Sequence, residues 1–175
     1  MDESTCLEFI FSNVNHWLEH AERKNTFIFS VFSLISLSSI VGTIQTYTSF
    51  WIKIGSIVTI VIYLFSLLFT LFLLFPITRF SKSILENGED RKLKLDDNLL
   101  FYGDIVKYSA DEYRQKISEK YSLNFEKGVH KDLIKQIIVN SHITNNKYKC
   151  FKISSILLFI AILQFSILFS FSLFN

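Results

Sequence analysis

Three stretches of this chain contain no Asp, Glu, Lys, Arg or His: Thr26 to Ile52, Ile54 to Thr78, and Ile153 to Asn175. A helix that crosses the roughly 30 Å hydrocarbon core of a bilayer needs about 20 apolar residues. Each stretch supplies them, with apolar centres at Phe27–Ile44, Ile54–Phe75 and Ile153–Phe174. The fold class expected is an all-α membrane protein, three transmembrane helices extended into a small cytoplasmic helical bundle. A hydrophobic fraction of 50% with 19 Phe suits a chain partly solvated by lipid.

Charge distribution supplies an orientation. Residues 1–24 hold five acids (Asp2, Glu3, Glu8, Glu19, Glu22) against Arg23 and Lys24, and residues 76–152 hold fifteen Lys/Arg against eleven Asp/Glu. Basic residues crowd the membrane edges at Arg23/Lys24, Arg79/Lys82 and Lys147/Lys149/Lys152, while the link between spans one and two offers only Lys53. The positive-inside rule then puts the N-terminus and the central segment in the cytoplasm and the C-terminus outside. The first apolar run follows a mixed-charge arm, is too long for a secretory h-region and lacks an A-x-A-like site, so it reads as a permanent anchor. Cys6 and Cys150 lack a C-x-x-C spacing and read as free thiols.

Along residues 4–24 the apolar side chains Leu7, Ile10, Phe11, Val14, Trp17, Leu18 and Ala21 recur at the spacing of one helical face. Thr5 and Glu8 have the form of a capping box. Nothing separates this amphipathic helix from the first span, which predicts one long helix. Pro76 should kink the chain as it leaves the second span, with a short helix through Leu85 and a solvated loop over 86–98 around the Asn87-Gly88 turn. Order should resume at Asn98–Asp104, and Ser109-Ala-Asp-Glu112 is a second capping-box spelling, opening a helix through about Lys120. From about Glu126 the sets Val129, Leu133, Ile137 and Ile134, Ile138, Ser141 again have helical spacing, unbroken into the third span.

Few residues suggest catalysis. His16-Trp-Leu-Glu19-His20 spells H-x-x-E-H, which on a helix sets two imidazoles and a carboxylate on one face, as a zinc peptidase requires; Asp96 or Asp97 could supply a third ligand. The plainer reading is the polar face of an amphipathic helix. No phosphate-cradling glycine loop and no nucleophile elbow occur, so an enzyme is not expected. The central cations are interleaved with anions and several lie at the membrane edge, which favours lipid headgroups over nucleic acid as counterions. Two polar clusters, Ala21–Asn25 and the series Gln136, Asn140, Ser141, Asn145, Lys147, serve either interfacial solvation or, with the Asn98–Asp104 strip, a pocket for a small polar or anionic ligand. The first span is rich in small hydroxylated residues, with Ser38-x-x-x-Gly42 as a small-xxx-small pair, which favours helix association and a homo-oligomer.

Several pieces in order carry a resemblance: Trp17 with Ala21-Glu22-x-Lys24; Asn98-Leu-Leu-Phe101-Tyr-Gly103-Asp104-Ile105; Glu112-Tyr113; Lys135-Gln136-Ile137 with Ser141-His-Ile143; and Lys147-Tyr148 before the last span. Over nearly its whole length the chain resembles the transmembrane effectors of the bacterial Pycsar antiphage systems. The resemblance implies a multi-pass protein of the bacterial inner membrane, activated by a cyclic nucleotide from a partner cyclase during phage infection, that impairs membrane integrity and halts growth. It brings no catalytic residue, no metal and no cofactor beyond the activating nucleotide. Carried over by position, the signal contacts would be Glu22, Lys24, Asn98, Gly103, Asp104, Gln136, Ser141 and Lys147. The chain then divides, within a single unit of residues 1–175, into a cytoplasmic amphipathic helix (1–25), two transmembrane helices (26–78), a cytoplasmic helical sensor region (79–150) and a third transmembrane helix (151–175). A constitutive membrane scaffold or pore-forming toxin, and the membrane-anchored zinc peptidase, are the alternatives. A reporter fused after residue 120 should be active in the cytoplasm; periplasmic activity would overturn the topology.

Overall fold

The computed structural model describes residues 2–46, 50–74, 85, 96–125 and 128–173. Among them every regular element is a helix: α1 (Glu3–Thr46), α2 (Phe50–Leu74), α3 (Tyr102–Ile105), α4 (Ala110–Tyr121) and α5 (Gly128–Leu173). The all-α class therefore holds. The expected long helices are present as well, α1 running unbroken from the amphipathic arm into the first uncharged stretch and α5 doing the same into the third. Among the described residues no helix is long and apolar enough to cross a membrane. Each uncharged stretch includes residues outside that description, at 47–49, 75–78 and 174–175. The expected kink at Pro76 also lies outside it, as do the short helix and the loop apart from Leu85 and residues 96–98.

The chain divides into two compact units, Met1–Ala21 with Ile77–Tyr148, and Glu22–Pro76 with Lys149–Asn175. The first has an ordinary apolar core. Leu7, Ile10 and Val14 of α1 are fully buried against Leu99, Ile105, Tyr113, Ile117, Phe125, Ile134, Ile137 and Ile138. Each such aliphatic side chain contributes about 1.5–3 kcal/mol on leaving water. The face expected on α1 is the face observed.

On α5 the register differs from expectation. Val129 is 78% exposed, whereas His130 is buried and heads the series with Ile134, Ile137, Ile138 and Ser141. Val129 and His130 are adjacent in the first turn, and here only His130 points at the core. The imidazole takes the inner position, its ring edge-on to Phe125 with centroids 5.9 Å apart and its Nε2 3.4 Å from Ser4 Oγ.

The caps divide in the same way. At α1 the capping residue is Asp2, not Thr5: Asp2 Oδ1 accepts from the Thr5 N–H at 2.7 Å and the Asp2 carbonyl accepts from the Cys6 N–H at 3.0 Å. A carboxylate at the positive end of the helix is the stronger cap, so the helix starts earlier. At α4 the spelled box forms. Ser109 Oγ accepts from the Glu112 N–H at 3.3 Å, and Glu112 Oε2 accepts from the Ser109 N–H at 2.9 Å and hydroxyl at 2.8 Å. The helix stops where Ser122 enters the left-handed region at φ 53°, its N–H bonded to the Ser118 carbonyl.

The second unit differs chiefly in its surface. Its small core joins Ile28, Phe32, Tyr63 and Ala161, and its buried residues include Asn25, Ser66 and Ser154. Phe27, Leu34, Ile57, Val61, Phe65, Leu68, Phe159 and Ile167 are all exposed.

The backbone N–H and the hydroxyl of Ser109 hold the Glu112 carboxyl below its ordinary value near 4.5. The folded state therefore binds this proton more weakly than the unfolded chain, and the stabilisation is full above that value and lost as pH falls through the folded one. Ser109→Ala is expected to cost about 1 kcal/mol at neutral pH. In denaturation followed by circular dichroism, the deficit of Glu112→Gln should shrink in acid; a deficit independent of pH would contradict the box.

Candidate functional site

Asn98, Gly103 and Asp104 come together in one tight strip between Asp97 and Tyr108. Asn98 Oδ1 accepts from the Leu100 N–H at 3.0 Å, an Asx turn, and the Asn98 carbonyl accepts from the Phe101 N–H at 2.9 Å. Asp104 Oδ2 closes the strip by accepting from the Asn98 N–H at 3.0 Å. At Gly103 a Cβ would lie 2.6 Å from Phe101 Cε1, so the ring needs the space that glycine leaves. The strip packs within its unit through Asn13 Nδ2, which donates to the Leu100 carbonyl at 2.6 Å, and the buried Tyr113 hydroxyl, which donates to the Leu99 carbonyl at 2.7 Å.

Lys107 organises the strip's charge. Its Nζ donates to Asp104 Oδ1 at 2.5 Å and to Asp97 Oδ1 at 2.6 Å, and the Tyr108 hydroxyl donates to Asp97 Oδ2 at 3.0 Å. Asp97 is buried, its side chain 3% exposed. The hydrogen bonds to Asp104 and then Asp97 push the Lys107 ammonium above its ordinary range. Burial, then the Asp97 hydrogen bond, pushes Tyr108 up to about 12. One cation thus serves two carboxylates, and the tyrosine remains a neutral donor.

Beside the strip stands a wall of half-buried rings. Tyr102 and Tyr148 are stacked, with centroids 5.3 Å apart and planes 9° from parallel. Trp17 meets Phe101, Tyr102 and Tyr148 at centroid distances of 6.1, 5.8 and 6.4 Å. Burial raises both tyrosines, with Tyr148 adding to the effect on Tyr102, so the wall carries no charge at neutral pH. Lys147 precedes Tyr148 on α5 and is itself buried. Aromatic faces of this kind are surfaces on which a planar small molecule can stack.

The other expected contacts are dispersed. Gln136 is exposed on α5, whereas Ser141 is fully buried and its hydroxyl donates to the Ile137 carbonyl at 2.7 Å. Their five-residue spacing sets them on different faces of one helix. Asn140 Nδ2 donates instead to Asn15 Oδ1 at 2.7 Å, a bridge to α1 that no sequence pattern announces. Glu22 and Lys24 are exposed in the second unit, where the Lys24 ammonium lies 5.5 Å from the centre of the Phe151 ring. Sequence reasoning missed Lys107 and Tyr108. A signal existed for half of the network, since Lys107 is three residues from Asp104; the ten-residue reach to Asp97 has no periodic signature.

The zinc-peptidase arrangement finds no third ligand among the described residues. Among the described residues no group of three or more His, Cys, Asp or Glu is arranged to hold a metal, and the Asp97 carboxylate is occupied by Lys107 and Tyr108.

Replacing Lys107 by Met should leave the buried Asp97 without its cation and cost about 3 kcal/mol. Gly103→Ala should cost about 1–3 kcal/mol through the forced shift of Phe101. Denaturant midpoints compared with wild type measure both; a wild-type midpoint for Lys107→Met would remove the network from the account.

No curated protein and no solved structure matches the chain. The sequence profile of the family described as the Pycsar effector protein domain, PycTM, matches residues 6–174. The chain, from its capped amphipathic helix to the far turns of α5, therefore belongs to the Pycsar effector family of antiphage defence proteins.

Proposed function

We propose that this effector answers a cyclic nucleotide, supplied by a partner cyclase during infection, by impairing the integrity of the bacterial inner membrane, so that growth stops or the cell dies. The observation that carries the membrane half of this reading is the apolar surface of the second unit. Phe27, Leu34, Phe65 and Phe159 are each more than 60% exposed, while Asn25, Ser66 and Ser154 are buried. In water such a surface invites association. In lipid it is solvated, and small polar residues are what draw helices together. The uncharged stretches of the sequence support the same environment, with 26–78 and 151–175 as the lipid-embedded parts and homo-oligomers as the assembled form.

The sensing half rests on the first unit, which contains most of the 79–150 region. A base would stack on the rings of Trp17, Tyr102 and Tyr148, and the phosphate would meet Lys147. Glu22, Lys24, Asn98, Gly103, Asp104, Gln136 and Ser141 remain the positions suggested by the family pattern. Asn98, Gly103 and Asp104 fit a supporting role better, because their geometry is spent on shaping the strip. Helices α1 and α5 each contribute residues to both units, and a ligand that repacks their first halves has a covalent route to their second. Moving such a switch from 1:99 to 99:1 takes about 5.5 kcal/mol of differential binding, more than one phosphate contact supplies.

Purified protein in dye-loaded liposomes of inner-membrane lipids should release dye only when a cyclic nucleotide is added. Lys147→Gln should raise the concentration required by at least about tenfold, the worth of one charged hydrogen bond. Release that ignores every cyclic nucleotide, together with toxicity on expression alone, would favour the constitutive toxin instead.

A further inference from the structure

The H-x-x-E-H segment holds a pair of side chains that the proposed function leaves unused. His16 and His20 sit one turn apart on α1, and their Nε2 atoms are 3.1 Å from each other. The rings meet nearly edge to face, with centroids 4.5 Å apart and planes at 85°. His16 is exposed and His20 half-buried, so solvent and a solvated ion reach the pair.

We propose that His16 and His20 form a two-imidazole site for a divalent transition metal, separate from the strip and from the ring wall. The distance carries the argument. With metal–nitrogen bonds of about 2.0–2.1 Å, a separation of 3.1 Å corresponds to a bite angle of about 98°. That lies between the ~90° of a square-planar or octahedral ion and the ~109° of a tetrahedral one. The separation therefore already suits a chelate, and binding turns both Nε2 lone pairs from each other toward the ion.

Proton bookkeeping is equally simple. In the metal-free pair one Nε2 donates its proton to the other. On binding, that proton passes to Nδ1 of its own ring, both Nε2 lone pairs face the ion, and no net proton is released from two neutral imidazoles. Metal ligands typically fix the opposite tautomer in this way. Among the described residues no third protein ligand joins the pair, and the proposed site takes its remaining ligands from water. Imidazole donors favour Cu2+ above Ni2+ and Zn2+ and discriminate against Mg2+ and Ca2+.

The test is calorimetric titration of the full-length protein, without a polyhistidine tag, with CuCl2 and NiCl2 in millimolar Mg2+. One ion per chain is expected, Cu2+ binding tighter than Ni2+, with two nitrogen ligands in the Cu2+ paramagnetic resonance spectrum. His16→Asn and His20→Asn should each weaken binding by at least about tenfold, and the double variant should bind at the level of buffer. His130, His142, Cys6 and Cys150 are retained in these variants, so undiminished stoichiometry in the double variant would overturn the proposal. So would wild-type protein that takes up neither ion. Unchanged helical circular dichroism of the variants separates loss of the site from loss of the fold.

Discussion

The ammonium of Lys107, shared between Asp97 and Asp104, is the interaction around which the rest of the first unit is arranged. A buried carboxylate such as Asp97 is costly unless it is paired and hydrogen-bonded. Here Lys107 and the Tyr108 hydroxyl meet that need together. The same cation holds Asp104, and Asp104 in turn holds the Asn98 N–H, so the strip's turn is fixed from both sides. Once the strip is fixed, Leu99 and Ile105 point into the core and Phe101 and Tyr102 point at Trp17.

This changes the sense in which the Asn98–Asp104 strip matters. A short run of Asn, Phe, Gly and Asp invites reading as a ligand cradle, because those residue types line many polar sites. Its amide and carboxylate are instead turned to the strip's own backbone, and its glycine makes room for its own phenylalanine. Asn98 is its exposed residue, and Phe101 and Tyr102 are half-buried against Trp17. A motif can be prominent because it shapes a surface: here the strip sets Phe101 and Tyr102 against Trp17 and Tyr148.

The two units differ in what their shared helices expose. In α1 the buried residues pass from Leu7, Ile10 and Val14 to Asn25, Ile28 and Phe32, while the exposed ones pass from a mixed set, Glu8, Phe9, Ser12, His16 and Glu19, to one that includes Phe27 and Leu34. Both units have apolar cores and both bury polar groups, among them Asp97, Asn145 and Lys147 in the first and Asn25, Ser66 and Ser154 in the second. What sets the second apart is the run of exposed Phe, Leu, Ile and Val along its helices.

Much of this was legible in the sequence because it follows from local periodicity and local hydrogen bonding. The helical class, the buried face of α1, the continuity of α1 and α5 and the Ser109–Glu112 box each depend on residues no more than a few turns apart. What depended on competition or on distance was not legible. Asp2 displaced Thr5 as the cap because a carboxylate meets the helix dipole better, and His130 took the inner position in place of Val129 where its ring meets Phe125 and Ser4. The Lys107–Asp97 pair, the Asn15–Asn140 bridge and the Trp17–Tyr102–Tyr148 wall join residues from 10 to more than 100 positions apart. Sequence spacing carries no signal for such contacts. They exist only once the helices have packed and brought those side chains within reach.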